Sequence, residues 1–342
     1  MPFPKDLITN THDIKFCVIG NGSWATALVK LLLSKLDNIG WYIRNDETID
    51  FIKHHKHNPR YLTVTSFDVN KLRMSTDINE VIGGANVVIL AIPSAFLLDA
   101  FKNFTGTDLS DKFIVSAIKG IIPLSNETIS EYFHRQYNVP YSQIGVISGP
   151  CHAEEVAMER LSYLTFSCKR RQLAEVISRY FESDYLRVIA STDIYGVEYT
   201  TVLKNIYAIA AGICHGLGYG DNFMAVLVSN AFEEMKRFLN SSYFSLTRIT
   251  AKSAYLGDLL VTSYSQFSRN RTFGGMIGKG YSVSAVQVEM NMVAEGYYAT
   301  KCMHEINKKH NIAMPIADTV YRILYEDSPV KEEIQKLTEI LV

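Results

Sequence analysis

Short apolar runs and helix-spaced patterns alternate along the first half of the chain. Residues 15–20 (KFCVIG), 39–43 (IGWYI), 85–93 (ANVVILAIP), 112–120 (KFIVSAIKG), 144–148 (IGVIS), 163–168 (YLTFSC) and 185–189 (YLRVI) are continuous runs, rich in Val and Ile and too short for core helices. A run that is apolar at successive positions, not alternate ones, is a strand covered on both faces, as in parallel sheets. Residues 23–36 instead place their apolar side chains at helical spacing. This alternation predicts an α/β fold with a doubly wound parallel sheet.

After residues 190–193 (ASTD) the pattern changes. Ser191, Thr192 and Asp193 are good N-cap types. Beyond them the periodicity is helical, over 196–212, 223–239, 283–307 and 316–325, with few β-like runs. The pattern predicts two domains, an α/β domain over residues 1–190 and an all-α domain over residues 191–342. No repeat, low-complexity tract or long flexible linker interrupts them.

Composition narrows the partners. The chain has 342 residues, 47% apolar and 20% charged, with a formal net charge of −1. That is a folded globular balance, with no field to attract nucleic acid or a membrane surface. An anionic substrate must therefore be held by a few placed cations. The five cysteines are scattered, odd in number and without a Cys-x-x-Cys pair, which argues against a disulfide framework or a zinc site and for a reducing cytoplasm. The first thirteen residues lack the apolar segment of a signal peptide, and no run approaches the roughly 18 apolar residues of a membrane span. KHHKH at residues 53–57 reads as a solvated tract rather than a metal site.

Candidate chemistry begins at residues 20–25, GNGSWA, between the first run and the first helical pattern. Gly20 permits a tight turn, and Gly22 lets a pyrophosphate approach the start of the helix closely. Ala25 is small enough for the third position of such a loop. A turn with no ligand is the alternative reading. At the end of the second run, where NAD sites carry a carboxylate, stands Arg44. It is either a partner for the 2′-phosphate of NADP or a solvated arginine, and Asp46 just beyond it is the acid that would favour NAD.

Lys204 lies within VLKNIYAIAA, an apolar helical pattern where an unpaired lysine is expensive unless it snorkels to the surface. A lysine serves as a general base when burial and a second cation lower its affinity for the proton. Ser268, Arg269 and Asn270 supply a hydroxyl, a forked guanidinium and an amide in one turn, which reads as a phosphate clamp or as a solvated loop. Asp258, an acid among apolar residues, either orients Lys204, bonds a substrate hydroxyl or caps a helix.

The segments SAIKGI, SGPCHAEEVA, GVEYTTVLKNIYAIAAGICHGLGYGDN, LGDLLVTSYSQFSRNR and MVAEGYYATK, in this order and spacing from Lys15 to Leu324, resemble the NAD(P)-dependent glycerol-3-phosphate dehydrogenases. The resemblance implies an N-terminal Rossmann-like domain and an all-α C-terminal domain. It implies interconversion of sn-glycerol 3-phosphate and dihydroxyacetone phosphate with NAD or NADP, supplying the glycerol phosphate backbone for phospholipid synthesis. By position, Gly20, Gly22, Ser23, Trp24, Arg44, Lys119, Ala153, Arg269, Val293 and Glu295 correspond to coenzyme contacts. Lys119, Gly149, Cys151, Lys204, Asp258, Ser268, Arg269 and Asn270 correspond to substrate contacts. Lys204 corresponds to the catalytic base, with Lys119 and Asp258 beside it in the catalytic set.

Three departures stand out. Ala25 replaces a frequent glycine. Cys151, a weak hydrogen-bonding thiol, replaces the usual Ser or Thr. TTVLKN replaces the more usual Gly-Gly-Ala before Lys-Asn. With Arg44 in place, NADPH is expected to serve at least as well as NADH. The expected partners are the small-molecule substrate and coenzyme, with no metal, no nucleic acid and no stable membrane insertion. A homodimer is left open. The competing readings are another NAD(P)-dependent hydroxy-acid dehydrogenase of similar build, and a non-catalytic dinucleotide sensor, which would need neither Lys119 nor Lys204.

Overall fold

The computed structural model describes residues 14–290 and 293–342. The chain divides into two compact units. One comprises the residues up to Ile118 together with Ile129–Ile194; the other comprises Lys119–Thr128 and Tyr195–Val342. The expected first domain, residues 1–190, is thus interrupted by the Lys119–Thr128 segment.

The first unit is built on eight strands: β1 Phe16–Ile19, β2 Ile39–Tyr42, β3 Leu72–Ser75, β4 Val87–Leu90, β5 Phe113–Ser116, β6 Ile144–Ser148, β7 Ser162–Cys168 and β8 Leu186–Ser191, in the order β3-β2-β1-β4-β5-β6-β7-β8. The helices α1 Ser23–Leu33, α2 Asp46–His55, α3 Ile78–Gly83, α4 Leu97–Ala100, α5 Ile129–Tyr137, α6 Ala153–Ala157 and α7 Arg171–Ser178 connect them. Every residue of β1, β4, β5 and β6 is buried, as runs covered on both faces must be. β1 pairs in parallel with both β2 and β4. The strand order therefore reverses beside β1, and the crevice beyond its carboxyl end is the place where such sheets take ligands.

Two features of this sheet correct the sequence pattern. β7 runs antiparallel to β6, so the sheet is mixed rather than all parallel. Strand direction leaves no trace in an apolar run. β3 was not predicted at all; as an edge strand it buries only Leu72, so it lacks the continuous apolar signature.

The second unit is helical: α8 Ile194–Gly216, α9 Asp221–Ser242, α10 Asp258–Tyr264, α11 Arg269–Gly278, α12 Val283–Glu289, α13 Glu295–His310, α14 Pro315–Tyr325 and α15 Val330–Thr338. All residues from 196 to 214 of α8 are buried, which makes it the central helix of the unit. The single helix expected over 283–307 is two helices, α12 and α13. No Pro or Gly marks the break. A tertiary contact accompanies it, because the Gly296 N–H bonds to Asn270 Oδ1 at 2.8 Å.

Glycines set the approach of α8 and α11. A Cβ on Gly212 would collide with the Arg271 carbonyl, and one on Gly274 with the Ile209 carbonyl; Gly216 and Gly278 meet backbone of the opposite helix in the same way. The helices touch backbone to backbone, as small-residue stripes allow. Elsewhere in the unit, Glu234 of α9 is buried and accepts from the Ile316 and Ala317 N–H groups at 2.8 and 3.0 Å, capping α14. Burial pushes its carboxyl from the usual value near 4.5 up to about 7, against the opposing effect of those two amide bonds.

Two outcomes follow from these contacts. Gly274→Ala should destabilise the protein by about 1–3 kcal/mol or more, as overpacking does. Gly275→Ala, whose Cβ would meet nothing nearer than 3.7 Å, should be neutral or slightly stabilising. Urea unfolding of both variants checks this. A carboxyl with a raised folded pKa stabilises the fold while protonated, fully below about 4.5, and that contribution is lost as pH rises through about 7. The stability advantage of wild type over Glu234→Gln should therefore shrink by about 2–3 kcal/mol between pH 5 and pH 7.5, measured by the same unfolding curves.

Candidate active site

The glycine loop leaves the carboxyl end of β1 and enters α1. Gly20 has φ +116°, and a Cβ there would lie 2.5 Å from Ile92 Cγ2 and 2.6 Å from the Ala91 carbonyl oxygen. Only glycine fits. Its carbonyl accepts from the buried Trp41 Nε1 at 2.7 Å, and its N–H donates to the Tyr42 carbonyl at 3.2 Å. Gly22, at the N-cap of α1, is different: a Cβ there would meet nothing within 4 Å. The fold itself has no use for glycine at 22. Gly22 lies at the positive end of a helix, where first-turn amides suit a pyrophosphate. A dinucleotide fits this cradle.

Asn58 locks the loop from behind. It is fully buried, and its Oδ1 accepts from the Arg60 and Tyr61 N–H groups, which fixes the amide orientation. Its Nδ2 then donates to the Asn21 carbonyl and to Thr26 Oγ1, both at 3.0 Å. Ser23 and Ala25 are buried and Trp24 half-buried in the first turn of α1. Arg44 stands exposed two residues beyond β2, just before the Asn45 side chain that caps α2. Asp46 opens α2 and accepts from Thr76 Oγ1 at 3.3 Å, so its carboxylate belongs to that helix start. Gly149 follows β6 with φ +132°. The buried Cys151 thiol turns back and donates to the Gly149 carbonyl at 3.5 Å. Ala153 opens α6, which is tied to α1 by Lys30, whose Nζ donates to the Ala157 carbonyl at 3.0 Å.

The second unit gathers the remaining predicted residues around α8. Lys204 is 2% exposed and forms an ion pair with Asp258, 1% exposed. It does not snorkel to the surface. Asp258 is the first residue of α10, placed by a π-helical turn over Ser253–Gly257. π-turns often mark functional positions. Thr262 Oγ1 donates to the Asp258 carbonyl at 2.6 Å, with Oδ1 at 3.4 Å.

Beside the pair runs a chain of amides. Asn205 Nδ2 donates to the Lys119 carbonyl at 2.7 Å, Asn270 Nδ2 donates to Asn205 Oδ1 at 2.9 Å, and Asn270 Oδ1 accepts from the Gly296 N–H. A backbone acceptor at one end and a backbone donor at the other fix both amide orientations. The chain braces the Lys119 segment, α8, α11 and the start of α13, which bears Glu295, with half-buried Val293 just ahead of it. Ser268 is the N-cap of α11, its Oγ accepting from the Arg271 N–H at 3.3 Å. Arg269, half-buried, is the first residue of that helix. A hydroxyl-bearing and a guanidinium-bearing residue thus stand side by side at a helix N-terminus, a combination suited to a phosphate.

Four contributors escaped the sequence reading: Trp41, Asn58, Asn205 and Thr262. A tryptophan inside a strand run needs a partner for its N–H, and Asn205 adjoins Lys204; those were the only signals. The histidine tract ends α2, where its positive charges suit the helix C-terminus. Among the described residues no group of three His, Cys, Asp or Glu side chains is placed to hold a metal ion.

Comparison with known proteins identifies the family. Residues 15–174 match the family described as NAD-dependent glycerol-3-phosphate dehydrogenase N-terminus, and residues 193–335 the corresponding C-terminus. A glycerol-3-phosphate dehydrogenase (NAD(P)+) of Chlorobium phaeobacteroides is 35% identical over 325 residues, covering 95% of this chain and 97% of the relative. One from Staphylococcus haemolyticus is 33% identical over 324 residues, covering 94% and 97%. The crystal structure of glycerol-3-phosphate dehydrogenase from Coxiella burnetii superimposes with a TM-score of 0.86 at 28% identity, covering 95% of this chain and 99% of that one.

Removing the brace behind the glycine loop should be felt by the dinucleotide. Asn58→Ala leaves the Asn21 carbonyl without its donor, and NADH affinity should fall about 5- to 10-fold, the worth of one hydrogen bond. Fluorescence titration of NADH reads the change.

Proposed function

The chain belongs to the NAD-dependent glycerol-3-phosphate dehydrogenase family, and we infer that it works as one: it interconverts sn-glycerol 3-phosphate and dihydroxyacetone phosphate, using NAD or NADP. The observation that carries this reading is the buried Lys204–Asp258 pair in the same unit as the Ser268–Arg269 helix start. A buried ion pair is poor value as a stabiliser, since its desolvation offsets most of its attraction. It is well suited to holding a proton donor in place.

The bound coenzyme supplies the hydride acceptor or donor. The protein's own residues do the rest. Ser268, Arg269 and the N-terminus of α11 hold the phosphate. In reduction, the Lys204 ammonium gives a proton to the carbonyl oxygen; in oxidation, the neutral amine takes it from the hydroxyl. Asp258 orients the amine and balances its charge, and Lys119 adds a second cation on the substrate side. Gly20, Gly22, Ser23 and Trp24 seat the pyrophosphate, with Arg44 at the ribose end. Gly149, Cys151 and Ala153 line the neighbouring loop, the Cys151 thiol acting through its carbonyl partner rather than as a strong donor. The phosphorylated substrate and five buried, free thiols fit a reducing cytoplasm. Among the described residues no helix is long and apolar enough to cross a membrane.

Lys204→Ala should lower kcat for dihydroxyacetone phosphate reduction by 10²–10⁴-fold, the range of general acid–base catalysis. NADH affinity should stay within about threefold, because the dinucleotide grip lies elsewhere. The variant should also unfold more readily, since the buried Asp258 loses its cationic partner. Turnover above about a tenth of wild type would contradict the assignment.

Arg44 should set coenzyme choice. NADPH is expected to be used at least as well as NADH, and Arg44→Ala should reduce the NADPH preference by about 1–3 kcal/mol, the worth of a bond to a charged group. Steady-state kinetics with both coenzymes decide it. A strong NADH preference indifferent to Arg44→Ala would give the ribose to Asp46 instead.

A further inference from the structure

Two adjacent threonines of α8 are treated differently. Thr200 and Thr201 are both buried, at 0% and 1% exposure. Thr201 Oγ1 donates to the Val197 carbonyl at 2.8 Å, one turn back, the common outlet for a hydroxyl inside a helix. Thr200 Oγ1 has no hydrogen-bond partner among the described residues. An unmade bond on a buried hydroxyl is a standing cost, and such a group calls for an explanation.

Thr200 lies four residues before Lys204, on the same face of α8. Helical side chains lean toward the N-terminus over the preceding turn, which puts the Lys204 stem on the side of α8 that carries Thr200. We propose that Thr200 is a positioning residue for Lys204, its hydroxyl holding the amine whenever the amine is uncharged. This deepens the proposed function and rests on Lys204 being the acid–base group.

The proton accounting is direct. In the charged state the ammonium donates to Asp258. After passing a proton to the substrate oxygen, the amine is neutral, keeps a lone pair and loses its Coulombic tie to the carboxylate. A threonine hydroxyl both donates and accepts. Its O–H then donates to the Nζ lone pair and keeps the amine in place until a proton returns. Thr200 neither gains nor loses a proton. The charged residues on or next to the contacts that meet α8 at Lys204 and Asn205 are Asp258, Lys119, Arg269 and Glu295. Glu198 lies on α8 itself.

The test is Thr200→Val, which keeps the shape, removes the hydroxyl and alters none of those charges. We expect kcat for glycerol 3-phosphate oxidation to fall about 5- to 20-fold with KM within about twofold. The rising limb of kcat against pH should move up by about half to one pH unit, because the neutral amine loses its partner. Thr200→Ser should restore both. If the hydroxyl is only a packing flaw, Thr200→Val will raise Tm and leave kcat and the pH limb unchanged, and the proposal is overturned. Lys204→Met, measured alongside, separates the two levels. An inactive Lys204→Met with a normal Thr200→Val sinks this proposal alone, and an active Lys204→Met sinks the assignment beneath it.

Discussion

The close contact of α8 and α11 is the constraint on which the second unit depends. Glycines 212, 216, 274 and 278 remove the side chains that would hold the two helices apart. The separation is therefore set by backbone against backbone, which has little room to give. That approach lets a short amide, Asn270, reach Asn205 at 2.9 Å. It also sets the phosphate-suited start of α11 in register with the segment of α8 that carries Lys204. A wider spacing would break the amide chain and leave buried polar groups unpaired, at a cost that compounds the loss of packing.

Polar groups are buried here in numbers that stability alone does not explain. Lys204, Asp258, Asn205, Asn270 and Thr262 all lie in the interior of the second unit. Each is tied to at least one other, and both ends of the amide chain finish on backbone. Satisfied networks of this kind rigidify what they join. In the first unit the same principle serves the glycine loop, where Trp41 and Asn58 hold the turn from behind while Gly22 faces open room. In both units side chains fix the backbone of the candidate site.

Much of this was legible in the residues. The central strands β1, β4, β5 and β6 announce themselves because both faces are covered. β3 does not, because an edge strand with one buried residue looks like a loop. The reversal of β7 and the break between α12 and α13 were invisible, since each is made by a distant partner rather than by a local breaker. The apolar helix around Lys204 signalled a lysine that is buried rather than solvated only if it finds a partner, and Asp258 is that partner. Asp258 was ambiguous until the π-turn before it aimed its carboxylate at the lysine. The glycine spacings 212–216 and 274–278 stand in the sequence, yet only the fold shows that the two stripes face each other. Asn58 carried no signal, because nothing local says which loop it will brace.

The central claim is that the second unit pairs an acid–base lysine with a clamp built for phosphate. It is tested most directly by comparing substrates on the wild-type enzyme with NADH and NADPH: dihydroxyacetone phosphate, dihydroxyacetone and a simple 2-keto acid. The account predicts kcat/KM for dihydroxyacetone phosphate at least about 10³-fold above the other two, the scale of several charge-assisted bonds to the phosphate. Comparable rates with and without the phosphate, or a preference for the keto acid, would contradict it.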